Sequence, residues 1–266
     1  MISSPWGSDR VTVLGVNVSA IDMDDCVATI DAWIKARSPH YVCITGVHGV
    51  ISSVSDDELR RIHNAAGMVT PDGMPLVWMS HWLGYKRTRR VYGPDLMAKV
   101  SQLSPARKYR HFYFGGGEGV ATKLQRTLQA ANPGLEVVGT ITPPFRSLTP
   151  EEDDAVIAEI NAARPDIVWV GLSTPLQERW MASHVGRLNA PVLIGVGAAF
   201  DFLSGGKKQA PAWMQRNGLE WLFRLASEPT RLWRRYLTIV PKFIVLAGLQ
   251  VVQSRLGVAQ IDRGSR

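Results

Sequence analysis

The sequence predicts an α/β protein with a mostly parallel sheet, helices on both faces of that sheet, and a basic helical appendage at its C-terminal end. Over residues 1–204, short apolar runs alternate with longer segments of helical periodicity, as expected for a parallel sheet covered by helices. Glycines or polar residues follow several predicted strands, at the positions where open α/β sheets bind ligands. Beyond residue 205 no further run convincingly indicates a strand, and basic residues outnumber acidic ones.

The predicted strands are short runs rich in β-branched and aromatic residues. The clearest is Ile167–Leu172, which is almost wholly apolar, as expected of a strand that is buried on both faces. The other predicted strands are 11–16, 41–45, 68–70, 111–114, 135–141 and 192–196.

The predicted helices have recognisable ends. Asp22, Asp24 and Asp25 open the first helix, and acidic residues in a first turn interact favourably with the helix dipole. Thr149-Pro150-Glu151 is a start signal for a later helix, and Gly84 ends another. The predicted helices of the body are 23–35, 48–55, 58–65, 74–83, 94–103, 120–131, 151–163 and 176–188.

The 266 residues suit one α/β domain, residues 1–204, followed by an appendage, residues 205–266. The net charge is +7, and the appendage holds eleven Lys and Arg against three Asp and Glu. The basicity is therefore a property of the appendage. It favours an anionic partner, which is a membrane surface, a phosphate group or a nucleic acid.

Two helices are predicted in the appendage, 219–226 and 230–249, separated by Glu228-Pro229. The apolar run 237–252 is interrupted by Pro241 and Lys242, so we expect no transmembrane helix. We expect this run to lie on a membrane or to pack on the body. Met1–Pro5 has no basic start followed by an apolar stretch, so a signal peptide is not expected.

The two cysteines, Cys26 and Cys43, have no metal-ligand spacing, and their small number suits a reducing cytoplasm. Asp22-Met23-Asp24 has the letters of a metal-binding DxD motif. Because these acids open a helix, they are explained without a metal, and a hard cation needs several converging oxygens. No metal site is predicted.

The stretch Gly115–Gly119 lies between a predicted strand and a predicted helix. Backbone N–H groups at such a turn, together with the helix N-terminus, can hold a phosphate. The stretch is equally well explained as a tight turn, because its spacing is not GxGxxG and it lacks the Lys-Ser/Thr pair of a P-loop.

Polar side chains follow other predicted strands. Asp72, in Thr70-Pro71-Asp72-Gly73, could take a proton from a hydroxyl group or could cap the next helix. Asp95 is open to the same two interpretations, and we favour a structural role for it.

Two further pairs stand at strand ends. Gln177 and Glu178 either contact a sugar or base or open the next helix. Thr45 and His48 follow another strand, although a lone histidine is usually a packed or surface residue. Because carboxyl ends of parallel strands meet at one edge, these loops should converge.

The appendage carries arginines among aromatic residues. Arg231, Arg234 and Arg235 fall within two turns of one helix, and Arg224 lies on the preceding segment. Trp221, Trp233 and Tyr236 accompany them. This pattern suits a lipid interface or a diphosphate, and an ordinary solvated basic face is the alternative.

In this order the motifs resemble the WecG/TagA/CpsF family of glycosyltransferases from about Val11 to Phe243. The most specific segments are TPDGMPLVW (70–78), RVYGPDLM (90–97), FYFGGGEGVA (112–121), PDIVWVGLSTPLQERWM (165–181) and GVGAAFDFLSGGKKQAPAWMQRNGLEWLFRLASEPTRLWRRYL (195–237).

The resemblance implies a Rossmann-like fold and an inverting transferase that uses a UDP-sugar as donor and needs no metal or other cofactor. It implies an acceptor sugar on a polyprenyl diphosphate, at the cytoplasmic face of the membrane. Asp72 matches the general base, with Thr45 and Gln177 as polar positions beside it. The expected donor contacts are Gly115, Gly116, Gly117, Gly197 and Glu178, and the expected phosphate or acceptor contacts are Arg224, Arg231, Arg234 and His48.

The sequence departs from the family pattern at one place, because many members carry Asn two residues after the Thr, where this chain has Val47. His48 could replace that contact, so the departure bears on sugar specificity more than on the reaction type. Two rival functions are a nicotinamide-dependent oxidoreductase and a nucleic-acid binder. The glycine spacing argues against the first, and the near-neutral body argues against the second. A homo-oligomer is possible.

Overall fold

The computed structural model describes residues 9–256. Its main sheet has six strands in the order β4-β3-β8-β7-β5-β6, and all neighbouring strands pair in parallel. The predicted α/β fold with a parallel sheet is therefore confirmed. The expectations for Met1–Pro5 and for residues 257–266 lie outside the described residues.

The elements follow one another with short connections. The strands are β1 Arg10–Val13, β2 Val16–Ser19, β3 His40–Thr45, β4 Met68–Pro71, β5 Arg110–Gly115, β6 Glu136–Ile141, β7 Ile167–Gly171 and β8 Val192–Gly195. The helices of the body are α1 Met23–Ala36, α2 Val47–Ser55, α3 Asp57–Ala65, α4 Met74–Trp82, α5 Gly93–Arg107, α6 Val120–Ala131, α7 Pro150–Ala163, α8 Leu176–His184 and α9 Ala199–Leu203. The appendage contains α10 Ala212–Arg216, α11 Glu220–Ser227 and α12 Pro229–Arg255.

The central strands are buried on both faces, and successive side chains enter different cores. Trp169 packs with residues of α1, α5 and α6, whereas its neighbours Val168 and Val170 pack with residues of α2, α4 and α8. This alternation follows from the two-residue repeat of a strand. Helices therefore cover both faces of the sheet, as the continuous apolar run of β7 predicts.

The run 11–16, predicted as one strand, is instead part of a two-stranded antiparallel hairpin outside the main sheet. Leu14 and Gly15 form its turn with positive φ values of 49° and 88°. Two consecutive positive φ values are typical of the tight turn that joins hairpin strands. The prediction was wrong because only one of the two turn residues is a glycine, so a turn signal within the apolar run is weak.

Two helix boundaries also differ from the prediction. Helix α8 ends at His184 rather than at residue 188, and Gly186 follows with a φ of 85°. Helix α12 is continuous from Pro229 to Arg255 and passes through Pro241 without a break. The short helices α9 and α10 were not predicted.

One face of α12 packs on the body. Phe243 and Ala247 are buried, and the Gln250 side chain makes two hydrogen bonds with the backbone of the β1–β2 hairpin. Gln250 Nε2 donates to Thr12 O at 2.6 Å, and Leu14 N–H donates to Gln250 Oε1 at 3.0 Å. By length and composition alone α12 would suffice to cross a membrane. These contacts instead attach it along the protein surface.

Candidate active site

A cleft of about 2120 Å³ lies over the carboxyl ends of the parallel strands. The chain leaves β5 towards β6 on one side and leaves the adjacent β7 towards β8 on the other. Such a reversal opens a crevice between the loops of the two strands, and open α/β sheets bind ligands there. The loops after β3, β4, β5, β7 and β8 line the cleft, and α11 and α12 of the appendage close one side of it.

Asp72 follows β4 and lines this cleft. Its backbone is fixed because its N–H donates to Thr45 O at 3.0 Å. Its side-chain Oδ1 is buried and has no hydrogen-bond partner among the described residues. Gly46 borders this carboxylate on the cleft wall, where a Cβ added to the glycine would lie 3.8 Å from Oδ2, an ordinary van der Waals contact.

The environment of Asp72 favours its protonated form. Burial, the largest cause, and the nearby carboxylate of Glu220 together raise the pKa of Asp72 to about 6. Arg90, Arg224 and the N–H of Gly93 lower it. A carboxylate with a pKa near the working pH combines a large ionised fraction with useful basicity, which suits general-base catalysis.

Arg90 joins the Asp72 loop to the appendage. Its Nε donates to Asp72 O at 2.6 Å, and its guanidinium stacks 4.0 Å above the Tyr92 ring. Its two terminal nitrogens donate to Gln215 Oε1 at 3.0 Å and to Glu220 Oε2 at 2.5 Å. The side chains of this Arg90–Glu220 ion pair are 15% and 20% exposed, so the contact is shielded from solvent.

Gly115, at the end of β5, has a different role from Gly116 and Gly117 in the loop that follows. Gly115 has a φ of 122°, and an added Cβ would lie 2.7 Å from the backbone of Gly171, so this glycine permits close strand packing. Gly116 and Gly117 line the cleft. The N–H of Gly116 donates to Gly171 O at 3.0 Å, whereas Gly117 N–H makes no backbone hydrogen bond in the described chain. Of these two glycines on the cleft wall, Gly117 is therefore the one whose N–H group can donate to a ligand.

Gln177 lines the cleft at the start of α8, and its Oε1 is buried and has no hydrogen-bond partner in the part of the chain that the structure describes. Gly197 also lines the cleft, and a Cβ added there would lie 3.5 Å from this oxygen. Glu178 is only 1% exposed and lies behind Gln177 rather than on the cleft wall. Thr45 is also buried behind the wall, and its hydroxyl donates to Cys43 O at 3.3 Å.

Arg224, Arg231 and Arg235 of the appendage line the cleft. Arg231 is paired with Glu228 at 2.6 Å. Arg224 and Arg235 form no ion pair within residues 9–256, so they are the cations available to an anionic ligand. Arg234 does not line the cleft; its guanidinium lies 5.2 Å from the ring centre of Trp233 on the outer side.

His48 lies in the first turn of α2, on the cleft wall. Burial, the largest cause, and the charges of Arg235 and Arg224 together lower the pKa of His48 to about 4. The imidazole is therefore neutral at physiological pH and offers a hydrogen bond rather than a charge.

Asp22 of the DxD letters, which was weighed as a metal ligand, and Asp95, which was weighed as a base or a helix cap, both lie at helix starts. Asp22 caps α1, where its Oδ1 accepts the Asp25 N–H at 2.9 Å. Asp95 lies in the first turn of α5. No group of three or more His, Cys, Asp or Glu residues able to hold a metal ion occurs in the described part of the chain.

Sequence reasoning did not assign roles to Arg90 and Glu220, and it placed Arg235 in the arginine group of the appendage without naming it as a phosphate or acceptor contact. Arg235 follows Arg231 by four residues, so helical spacing was a signal for it, but Arg234 fits the spacing of three almost as well. No local sequence pattern indicated Arg90 or Glu220, because these two residues pair with each other across 130 positions of the chain.

Comparison with known proteins gives a consistent result. The model of the "Glycosyl transferase WecG/TagA/CpsF family" matches residues 11–257. The chain is 31% identical over 192 residues, 72% of each chain, to an N-acetylglucosaminyldiphosphoundecaprenol N-acetyl-beta-D-mannosaminyltransferase of Bacillus spizizenii. It is 25% identical over 237 residues, 88% of this chain and 91% of the relative, to a Staphylococcus aureus protein of the same name.

Proposed function

The chain belongs to the WecG/TagA/CpsF family of glycosyl transferases, and from this premise we propose that it transfers a hexose-type sugar from a UDP-sugar to a sugar carried on a polyprenyl diphosphate. The reaction serves the synthesis of a cell-surface polysaccharide or exopolysaccharide, proceeds with inversion and needs no metal ion. The names of the relatives support the acceptor class, because these proteins act on N-acetylglucosamine linked to a diphosphoundecaprenol.

The observation that carries the proposal is the environment of Asp72. Within residues 9–256, a carboxylate with a pKa of about 6 and an unpartnered oxygen stands in a cleft that also holds two arginines without an ion pair. Asp72 accepts the proton of the acceptor hydroxyl as this oxygen attacks the anomeric carbon of the donor. The bond to the leaving UDP breaks in the same step, so the configuration at that carbon inverts.

The leaving diphosphate gains negative charge as this bond breaks. Gly117 N–H and the guanidinium groups of Arg224 and Arg235 are the donors available to it. Preorganised donors of this kind stabilise a developing charge without reorganising during the reaction. The charge of Arg224 already acts on Asp72, because it lowers the pKa of that residue, so Arg224 lies close to the reaction centre.

The test is UDP release from a panel of UDP-hexoses, with and without a polyprenyl-diphosphate-linked N-acetylglucosamine, in the presence of EDTA. We expect acceptor-dependent release from one donor, and NMR of the product should show the inverted anomeric configuration. Asp72→Asn should lower the rate by about 10²–10⁴. Asp57→Asn, at a 76% exposed carboxylate on α3, is the matched control. Turnover of Asp72→Asn near that of the wild type, with an intact fold, would exclude Asp72 as the base.

We also propose that α12 holds the protein on the cytoplasmic face of an anionic membrane. Its outward face carries a stripe of exposed apolar side chains at helical spacing, Leu237, Val245, Leu249 and Val252, each at least 54% exposed. Lys and Arg near an anionic leaflet contribute about 1 kcal/mol each, so the basic appendage adds to this attachment.

Cosedimentation with anionic vesicles tests the attachment. Leu237→Gln/Val245→Gln should weaken vesicle binding at least ~10-fold, because the two apolar side chains no longer enter the bilayer. Leu176→Gln is the control, since Leu176 is 63% exposed, close to the 61% of Val245, but lies outside the appendage. Equal binding of the double variant and the control would contradict the membrane contact.

A further inference from the structure

Gln177 and Glu178 are neighbours in the chain with different surroundings. Gln177 is 3% exposed and reaches the cleft with its side chain, whereas Glu178 is fully enclosed beneath it. A buried carboxylate is costly to keep unless other groups donate hydrogen bonds to it. The hydrogen bonds that Glu178 accepts therefore indicate its role.

Glu178 accepts two hydrogen bonds through one oxygen. Its Oε1 accepts from Gln177 Nε2 at 3.1 Å and from the Thr174 hydroxyl at 2.8 Å. Its second oxygen, Oε2, is buried and makes no hydrogen bond among the described residues. Both donors lie on the cleft wall, Thr174 in the loop after β7 and Gln177 at the start of α8.

This contact decides which way the Gln177 amide points. Because Glu178 Oε1 accepts from Gln177 Nε2, the NH₂ group of Gln177 faces Glu178 and the amide oxygen faces away. That oxygen is buried next to Gly197 on the cleft wall, and no residue in the described part of the chain hydrogen-bonds to it. Gly195 leaves the room for this arrangement, because an added Cβ would lie 3.1 Å from Gln177 Nε2.

We propose that Glu178 is a positioning residue that fixes the Gln177 amide so that its oxygen, and not its NH₂ group, is presented to the donor substrate. The site then selects a donor sugar or nucleoside that carries a hydroxyl or N–H group at this point. A substrate group that can only accept a hydrogen bond would leave two acceptors facing each other, which is unfavourable in a buried site.

The inference rests on the proposed function for its kinetic test, which uses the UDP-hexose that gives acceptor-dependent UDP release. Glu178→Met removes both carboxylate oxygens at nearly constant side-chain size. It should raise the donor KM about tenfold, which corresponds to the loss of one well-placed hydrogen bond. Glu178→Gln keeps an oxygen that can accept both bonds and replaces only the unpartnered Oε2, so its KM should stay close to that of the wild type.

A double-mutant cycle separates positioning from a general effect on packing. Gln177→Ala should raise the donor KM, and adding Glu178→Met to it should raise the KM no further, because the amide to be positioned is gone. A merely structural role would give the same increase in both backgrounds, and this result would overturn the proposal. If Glu178→Met does not fold, Thr174→Val, which removes the other donor to Glu178, takes its place in the cycle.

A second readout does not depend on the substrate. The side-chain NH₂ protons of Gln177, identified by their loss in Gln177→Ala, should exchange slowly with solvent in the wild type and in Glu178→Gln. They should exchange rapidly in Glu178→Met or Thr174→Val. Slow exchange in all variants would overturn the proposal even if the protein transfers no sugar, whereas rapid exchange in these variants without sugar transfer would support the positioning and refute the proposed function.

Discussion

Asp72→Asn should stabilise the folded protein at neutral pH while it lowers the transfer rate. The folded-state pKa of Asp72 is raised from 3.8 to about 6. The folded state therefore binds the proton more tightly than the unfolded state, and stability is lost as the pH rises through the folded pKa. A shift of this size, at about 1.4 kcal/mol per pH unit, corresponds to roughly 3 kcal/mol at pH 7.5. Asparagine does not ionise and escapes this cost.

The same linkage predicts how the effect depends on pH. The cost of ionising Asp72 falls to about 1.5 kcal/mol at pH 5 and to about 0.5 kcal/mol at pH 4, because the folded state then keeps the proton. The difference in the free energy of unfolding between Asp72→Asn and wild type should therefore shrink by roughly 2.5 kcal/mol between pH 7.5 and pH 4. At neutral pH the variant should melt about 5 °C higher or more.

Urea unfolding followed by circular dichroism at pH 7.5, 5 and 4 measures this difference. Asp57→Asn serves as control, because its 76% exposed carboxylate should change stability by well under ~1 kcal/mol at each pH. A difference that does not vary with pH, or a less stable Asp72→Asn at pH 7.5, would refute the reasoning that the buried carboxylate is destabilising.

Further predictions concern the surroundings of the base. Glu220→Gln removes a charge that raises the pKa of Asp72, so the acid limb of the kcat/KM profile, near pH 6 in the wild type, should move to lower pH; a move to higher pH would contradict this. Arg235→Ala should lower kcat/KM by about tenfold or more, whereas Arg234→Ala should leave it within about twofold, and equal losses would place Arg234 at the ligand as well. Gly115→Ala should destabilise the fold by at least ~1 kcal/mol in urea, and unchanged stability would mean that β5 can move away from Gly171. Millimolar EDTA should leave the transfer rate unchanged, and restoration of a lost rate by Mg²⁺ or Mn²⁺ would contradict a metal-independent reaction.

The sequence carries enough information for the layers of the fold but not for the strand order. The continuous apolar run of β7 predicts a strand buried on both faces, and the structure places it centrally. By contrast, the insertion of β8 between β3 and β7 depends on how whole strand-helix units pack, and no local pattern encodes it. The β1–β2 hairpin was missed because its local turn signal is weak: of the two turn residues, Leu14 and Gly15, one is a glycine.

The candidate site divides in a similar way. Asp72, Gln177, Gly117 and His48 were predicted from their places at strand ends, because the carboxyl ends of parallel strands meet at one edge. Arg90 and Glu220 could not be predicted, since their ion pair connects distant segments. The choice of Arg235 over Arg234 depends on the rotation of α12 about its own axis, which the packing of Phe243 and Ala247 fixes.

The two hydrogen bonds of Gln250 join segments that are 236 and 238 residues apart in the chain. A ribosome adds about 5–20 residues per second, so the hairpin waits roughly 10–50 s for its partner during synthesis. Strand β4 and the loop of Asp72 leave the ribosome before Arg224 and Arg235, which reach the cleft only after α11 and α12 have docked. The nascent protein thus carries its base long before its cations, and transfer activity should begin only after Gln250 has been synthesised and α12 has docked on the hairpin.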